Sequence, residues 1–315
     1  MNNTWLIGAG NMSQAYIKVL DEIKNDYIVI GRGEESAQKC REFTTKSVIS
    51  GGLDTFLKSN PSLPTHAIVS VSSDELTHTT MALLNYGIKN ILVEKPAGFT
   101  VESIKSLNNL AKEKSANVLL AYNRRFYASV YKAKEMIEAD GGILSGNFEF
   151  TEWSHVIENL DKTEAAFHSW LVGNSTHVID LAFYLMGKPK EICSFTTGSL
   201  TWHPASSIFA GAGVTEEGAL FNYHANWESA GRWSVEVLTK NHKFIFRPME
   251  KLSVIKKGTV KEEEITDIDY TLDDKFKPGI YKEVETFING DYSIHCSISE
   301  QAKMIDIYYK IANYK

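Results

Sequence analysis

The sequence predicts an α/β fold: an N-terminal doubly wound parallel sheet, then a C-terminal α+β domain with a mostly antiparallel sheet. Three observations predict it. Short apolar runs alternate with amphipathic stretches through the first 122 residues, and a glycine loop follows the first of those runs. Beyond about residue 125 the pattern changes to long alternating segments joined by glycine-containing turns. With 315 residues there is room for two domains, expected at 1–122 and 123–315, with the closing helices packing back on the first.

Six strands are expected in the first domain: Trp5–Ile7, Tyr27–Ile30, Ser47–Ile49, Ala67–Val71, Ile91–Val93 and Val118–Ala121. Five helical patterns connect them. In Ser13–Ile23, for example, Ala15, Tyr16, Val19, Leu20 and Ile23 fall on one face at helical spacing. Right-handed crossovers then wind helices onto both sides of the sheet. The second domain opens with a helix near Ser129–Ala139. Strands are expected at Ile143–Trp153, Glu191–Leu200, Ser207–Val214, Ala219–Trp227, Trp233–Thr239 and Lys243–Phe246. A helix at Ser175–Met186 is stopped by Gly187 and Pro189, and helices at Ile280–Ile288 and Ser299–Ala312 close the chain.

Composition excludes several classes. Hydrophobic residues at 43% and charged ones at 23% are globular proportions, not those of a disordered chain. With 33 basic against 39 acidic residues the net charge is −6, so nothing global favours nucleic acid or an anionic membrane. Cys40, Cys193 and Cys296 form no CxxC pair and are expected to be buried or inert thiols. No run approaches the ~18 apolar residues of a spanning helix, and the first residues lack a basic signal region, so a cytoplasmic protein is expected. His203, His224 and His242 are not spaced as metal ligands, and no metal is expected.

Gly8-Ala9-Gly10-Asn11-Met12-Ser13 follows the first strand and opens the first helix, the setting that the G-x-G-x-x-G/A dinucleotide fingerprint requires. Gly8 permits the tight turn. Gly10 lets a pyrophosphate reach the backbone, and the helix N-terminus offers free N–H groups and partial positive charge. Ser13 replaces the third glycine. Such a domain is a Rossmann domain. Where an NAD site places Asp or Glu for the ribose 2′-hydroxyl, the second strand instead runs into Gly31-Arg32-Gly33. Arg32 can bond a 2′-phosphate, so NADP(H) is expected in preference to NAD(H); the alternative is a solvated turn residue and use of both cofactors. Ser36 can add a donor, and Glu34 and Glu35 oppose it if they point inward. Glu94-Lys95-Pro96 ends the fifth strand, where ligands bind in open α/β sheets, so Lys95 can donate to a substrate oxygen or relay a proton.

With these motifs the sequence resembles the Gfo/Idh/MocA oxidoreductases. The resemblance rests on Gly8–Ser13, the Ser70–Asp74 turn with His78, Gly87 before Ile91–Pro96, Tyr122-Asn123-Arg124-Arg125-Phe126, and His177-Val178-Ile179-Asp180 leading to Leu185-Met186-Gly187. It implies an NADP(H)-dependent oxidoreductase moving a hydride to or from a sugar, polyol or nucleotide-linked keto sugar, as a homodimer or homotetramer. Lys95 matches the lysine that contacts the reacting hydroxyl, and His177 the histidine with the acid/base role, or else a core histidine. Asp180, one turn on, either orients that imidazole or is structural. The cofactor is expected to touch Gly8, Gly10, Asn11, Met12 and Arg32, then Ser70, Ser72 and His78. Glu94, Lys95, Pro96, Asn123 and Arg125 complete that set; Asn123, Arg124 and Arg125 contact cofactor or a substrate phosphate, or else pin the domains. The substrate is expected at Lys95, Asn174, His177 and His168. Trp153, His155, His168 and Trp170 line a sugar pocket or belong to the core or an interface. One position departs from the pattern: many members carry an aspartate four residues before the histidine, and Gly173 stands here. The relay is then shortened, rerouted through Asn174 or His168, or absent. A cofactor-binding sensor that lost the chemistry, and a reaction with tightly held cofactor and no net redox change, are the competing readings.

Overall fold

Trp5, Leu6 and Ile7 are buried on both faces of β1 (Asn3–Ile7), as befits the centre of a parallel sheet, in a computed structural model that describes residues 3–315. There follow α1 (Asn11–Glu22), β2 (Asp26–Ile30), α2 (Glu34–Arg41), β3 (Val48–Ile49), α3 (Leu53–Lys58) and β4 (His66–Val69). Then come α4 (Leu76–Tyr86), β5 (Asn90–Val93), α5 (Val101–Glu113) and β6 (Asn117–Leu120). All six expected strands and five connecting helices are present, with ends displaced by a residue or two. The fourth strand stops at Val69, not Val71, because the chain turns at Ser70 to enter a short 3₁₀ turn.

These strands pair in parallel in the order β6-β5-β4-β1-β2-β3, and Cys296–Ser297 adds antiparallel to the outer edge of β6. The chain leaves β1 towards one edge and β4 towards the other. This divergence opens a crevice above their carboxyl ends, the usual ligand position in such sheets. The chain divides into two units, and the first combines residues 3–123 with 272–305. In it the helix Ile280–Ile288 buries Ile280, Val284 and Phe287 in the cluster that contains Leu6, Tyr16 and Leu20.

The second unit comprises residues 124–271 and 306–315. It opens with α6 (Ala128–Ala139) and β7 (Ser145–Glu149), then α7 (Ser154–Ile157), α8 (Glu164–His168) and α9 (Thr176–Met186). Strands β8 (Pro189–Thr197), β9 (Ile208–Thr215), β10 (Leu220–Asn226), β11 (Ser234–Leu238) and β12 (His242–Phe246) follow. Two further strands, β13 (Ser253–Lys256) and β14 (Glu262–Glu264), were not expected. The sheet order is β14-β13-β12-β11-β7-β10-β9-β8, antiparallel except for β7 beside β10. The expected strand Glu191–Leu200 ends at Thr197, where Gly198 turns the chain at φ 71°. Helix α9 packs on β7 and β11, its Phe183 edge-on to Phe148 at 5.5 Å. Cys193 is exposed on β8, unlike Cys40 and Cys296, because its side of the strand faces away from the core.

Candidate functional site

Gly8 sits at φ 120°, and a Cβ there would lie 2.3 Å from the Ser70 carbonyl oxygen, so only glycine lets β1 and β4 approach at the crevice floor. Ser13 fits the third glycine position because its hydroxyl shares a 2.7 Å hydrogen bond with that of Ser70, both side chains being buried. Gly10, by contrast, faces open space: a Cβ there meets nothing within 4 Å. Helix α1 starts at this residue with no side-chain cap and no acidic residue in its first turn. Its first N–H groups are therefore left for a ligand, and an anionic one is favoured. Asn11 is exposed at this end, and the Sδ of Met12 lies 3.0 Å from the Nζ of Lys277. These residues fit a dinucleotide pyrophosphate.

A cleft of about 680 Å³ extends from Gly10 past Arg32, Ser36, Ser72 and His78. Glu34 and Glu35 do not oppose Arg32: their carboxylates are engaged by Arg41 and Lys39. The carboxylate that does meet it was missed in the sequence. Glu75 lies 3.5 Å from Arg32 and 3.9 Å from the Nδ1 of His78, with the Arg32 side chain 80% exposed.

At the end of β5, the Tyr16 hydroxyl donates to Glu94 at 2.8 Å. Burial raises the Glu94 carboxyl above its ordinary value, opposed by Tyr16, Lys95 and Lys277. Lys95 is half-buried beside it. The loop is pinned where Gln301 donates to the Pro96 carbonyl at 3.4 Å and Thr77 to that of Ala97 at 2.7 Å. Asn123 donates to the Pro278 carbonyl at 2.8 Å, joining the two stretches of the first unit.

In the second unit His177 is the second residue of α9, half-buried, its ring 6.2 Å from that of Trp233. A π-helical turn, Leu171–Ser175, delivers the chain to it. Asp180 is bound by Arg125 through two hydrogen bonds of 2.8 and 2.5 Å, with both side chains buried. The contact is a buried ion pair that ties Arg125 to α9. His168 is removed to the surface helix α8, 3.7 Å from Glu164.

Residues 3–122 match the model of an oxidoreductase family with an NAD-binding Rossmann fold, GFO_IDH_MocA. That stretch is similar to the NAD-binding Rossmann domain of the Gfo/Idh/MocA oxidoreductases. Over 154 residues, 46% of its length, the chain is 28% identical to the levoglucosan dehydrogenase of Pseudarthrobacter phenanthrenivorans, a match that spans 38% of that enzyme's length. Among solved structures, a putative NADPH-dependent oxidoreductase from Desulfitobacterium hafniense superposes with a TM-score of 0.81 at 15% identity, covering 99% of this chain and 95% of the other. A levoglucosan dehydrogenase in complex with NADH gives 0.78 at 18% identity, covering 99% and 96%. At these identities the likeness establishes the fold.

In the second unit, Gly173 does not leave its neighbourhood without a carboxylate. Glu152, 1% exposed, accepts from Asn174 at 2.9 Å and from Ser175 at 2.8 Å, and Arg232 lies 3.3 Å from its other oxygen. Burial raises its carboxyl above the ordinary value, and these donors oppose the rise. Glu152, Arg232 and Trp233 went unrecognised in the sequence because they flank different strands, and only sheet pairing joins them. The usable signal was a charged residue inside an aromatic run, Glu152-Trp153 and Arg232-Trp233. Among the described residues no helix is long and apolar enough to cross a membrane.

Proposed function

We propose that the protein is an oxidoreductase that uses NADP(H) in preference to NAD(H) and acts on a carbonyl or hydroxyl carbon of a sugar, polyol or nucleotide-linked keto sugar. The observation that carries the reading is the Gly8–Gly10 cradle: an uncapped helix start facing open space, continuous with the cleft that reaches Arg32. Bound NADP(H) supplies or accepts the hydride. Gly10, Asn11 and Met12 would hold its pyrophosphate by backbone N–H groups, Gly8 shaping the turn with its own N–H on the Ile30 carbonyl at 2.9 Å, and Arg32 and Ser36 would take the 2′-phosphate.

Glu75 competes for Arg32, and magnitudes decide the outcome. An exposed ion pair contributes about 0–1 kcal/mol, whereas a charge-assisted hydrogen bond to phosphate contributes about 1.5–3 kcal/mol. The phosphate wins, which corresponds to a preference of roughly tenfold to a hundredfold. In the chemical step Lys95 polarises the reacting oxygen, and His177 or Lys95 supplies or removes the proton. Glu152 provides the carboxylate that Gly173 lacks, acting through Asn174. The match to a sugar dehydrogenase supports the substrate class.

The test is a fluorescence titration with NADPH and NADH at fixed salt on wild type, Arg32→Ala and Glu75→Gln. NADPH binds at least tenfold tighter to wild type, Arg32→Ala erases the gap and Glu75→Gln widens it. Equal binding of both cofactors to all three proteins removes Arg32 from the assignment. A sugar and keto-sugar screen then follows with Lys95→Ala as control; turnover unchanged in that variant refutes its role.

A further inference from the structure

Two arginines of the second unit share one indole. The guanidinium carbon of Arg124 lies 4.8 Å from the centre of the Trp233 ring, and that of Arg232 lies 4.6 Å from it. Arg232 also stands 4.6 Å from the ring of Trp153, whose indole N–H is fixed by the Gly231 carbonyl at 3.0 Å. Trp233 is 7% exposed and Trp153 47%, so the stack runs from the interior to solvent.

The charges do not close among themselves. Arg232 has Glu152 at 3.3 Å, but that carboxylate is also the acceptor for Asn174 and Ser175. Arg124 has no such partner: its Nε is buried with no hydrogen bond among the described residues. Burial lowers its proton affinity, Arg232 lowers it further, and Tyr127, Glu250 and Glu152 act in the opposite sense. A buried cation whose Nε has no hydrogen bond among the described residues gains more from an incoming anion than a solvated arginine does. The same indole is 6.2 Å from the His177 ring, so an anion bound here lies beside the candidate acid/base. The exposed face of Trp153 adds a surface for an uncharged ring.

We propose that the second unit recognises an acidic carbohydrate, one carrying a carboxylate or a phosphate, and that Arg124 and Arg232 receive the anionic group around Trp233. The proposal rests on the reading that the protein handles sugars, and it narrows that class to charged members.

The test is tryptophan fluorescence of the full-length protein, with and without saturating NADPH, titrated with D-glucuronate, D-gluconate, D-glucose 6-phosphate, UDP-glucose, D-glucose and inorganic phosphate. At least one acidic sugar is expected to bind tenfold or more tightly than D-glucose, with affinity falling as salt rises. Arg232→Gln, at an exposed position, is expected to lose tenfold for that ligand, and Arg124→Lys to lose less than Arg124→Gln. Preference for the carboxylate sugars or the phosphate-bearing ones identifies the anion. The proposal is overturned if D-glucose binds as well as the acids, if inorganic phosphate matches them, if no acid binds, or if Arg232→Gln leaves the acids unaffected. Failure of NADPH to bind, with the acid preference intact, sinks the oxidoreductase reading and leaves this site standing.

Discussion

Arg125 grips Asp180 through two parallel hydrogen bonds, Nε to Oδ2 at 2.8 Å and Nη2 to Oδ1 at 2.5 Å, inside the second unit. Asp180 lies on α9 three residues beyond His177, so the pair holds the helix that presents the imidazole. Removing one partner of a buried pair strands the other charge and costs about 3–5 kcal/mol. Arg125→Ala and Asp180→Asn are each expected to lower the unfolding free energy, read from urea titration, by that amount. A loss below about 1 kcal/mol in both would show that the pair is not structural.

Two glycines of one loop separate folding from binding. Gly8→Ala forces a Cβ onto the Ser70 carbonyl at 2.3 Å from a backbone at φ 120°, so the variant is expected to be destabilised and to lose cofactor. Gly10→Ala meets nothing within 4 Å and should change stability by no more than about 1 kcal/mol at a helix N-cap. It is nevertheless expected to lose at least tenfold in NADPH affinity, because the new methyl occupies the space of the pyrophosphate. Thermal melts and NADPH titrations of both variants check the contrast; unaltered NADPH binding by Gly10→Ala would place the phosphates elsewhere.

His203 is a buried neutral histidine. Its Nδ1 and Nε2 lie 2.7 Å from the Ser206 carbonyl and the Tyr314 hydroxyl, and burial pushes its pKa down to about 4. As pH falls below about 6.5 the unfolded chain takes up a proton that the native state refuses until about pH 4. Stability therefore drops across that window, by at most roughly 3 kcal/mol. His203→Gln is expected to be less stable than wild type at pH 7, with the difference shrinking towards pH 4.5 in melting experiments. A difference independent of pH would mean that the imidazole does not titrate as stated.

Glu283 gives the opposite slope. Both its carboxyl oxygens are buried without a hydrogen bond among the described residues, and burial, reinforced by the Glu94 charge, raises its pKa well above the ordinary value. The native state keeps a proton that the unfolded chain releases above about pH 4.5, so this residue subtracts stability as pH rises. Glu283→Gln is expected to melt higher than wild type at pH 8 and close to it at pH 5. Equal melting temperatures at both values would remove the effect.

What the sequence made legible was local. The glycine loop, the Glu94-Lys95-Pro96 turn and the face of α1 are each set by a few adjacent residues, and the loop stands where its spacing placed it. Strand β14, Glu262–Glu264, carries no apolar alternation and exists because β13 offers it an edge, so no periodicity announces it. Glu75 reaches Arg32 from 43 positions away. Arg232 reaches Glu152 from 80, across strands whose register no spacing reveals. The acceptor and anion chemistry of the second unit lies in such distant pairs.

The antiparallel strand Cys296–Ser297 on the edge of β6 has a consequence for how the nucleotide-binding half comes into being. A ribosome that has made the first 271 residues has released every glycine of the cradle, yet neither that edge strand nor the helix bearing Val284 and Phe287. Until they emerge, the nascent sheet shows a bare margin and an uncovered apolar face, both invitations to misassembly. A minimal cofactor-binding fragment cut at residue 122 would inherit the same defect permanently. Joining residues 3–123 to 272–305 by a short linker, bypassing the inserted unit, would not.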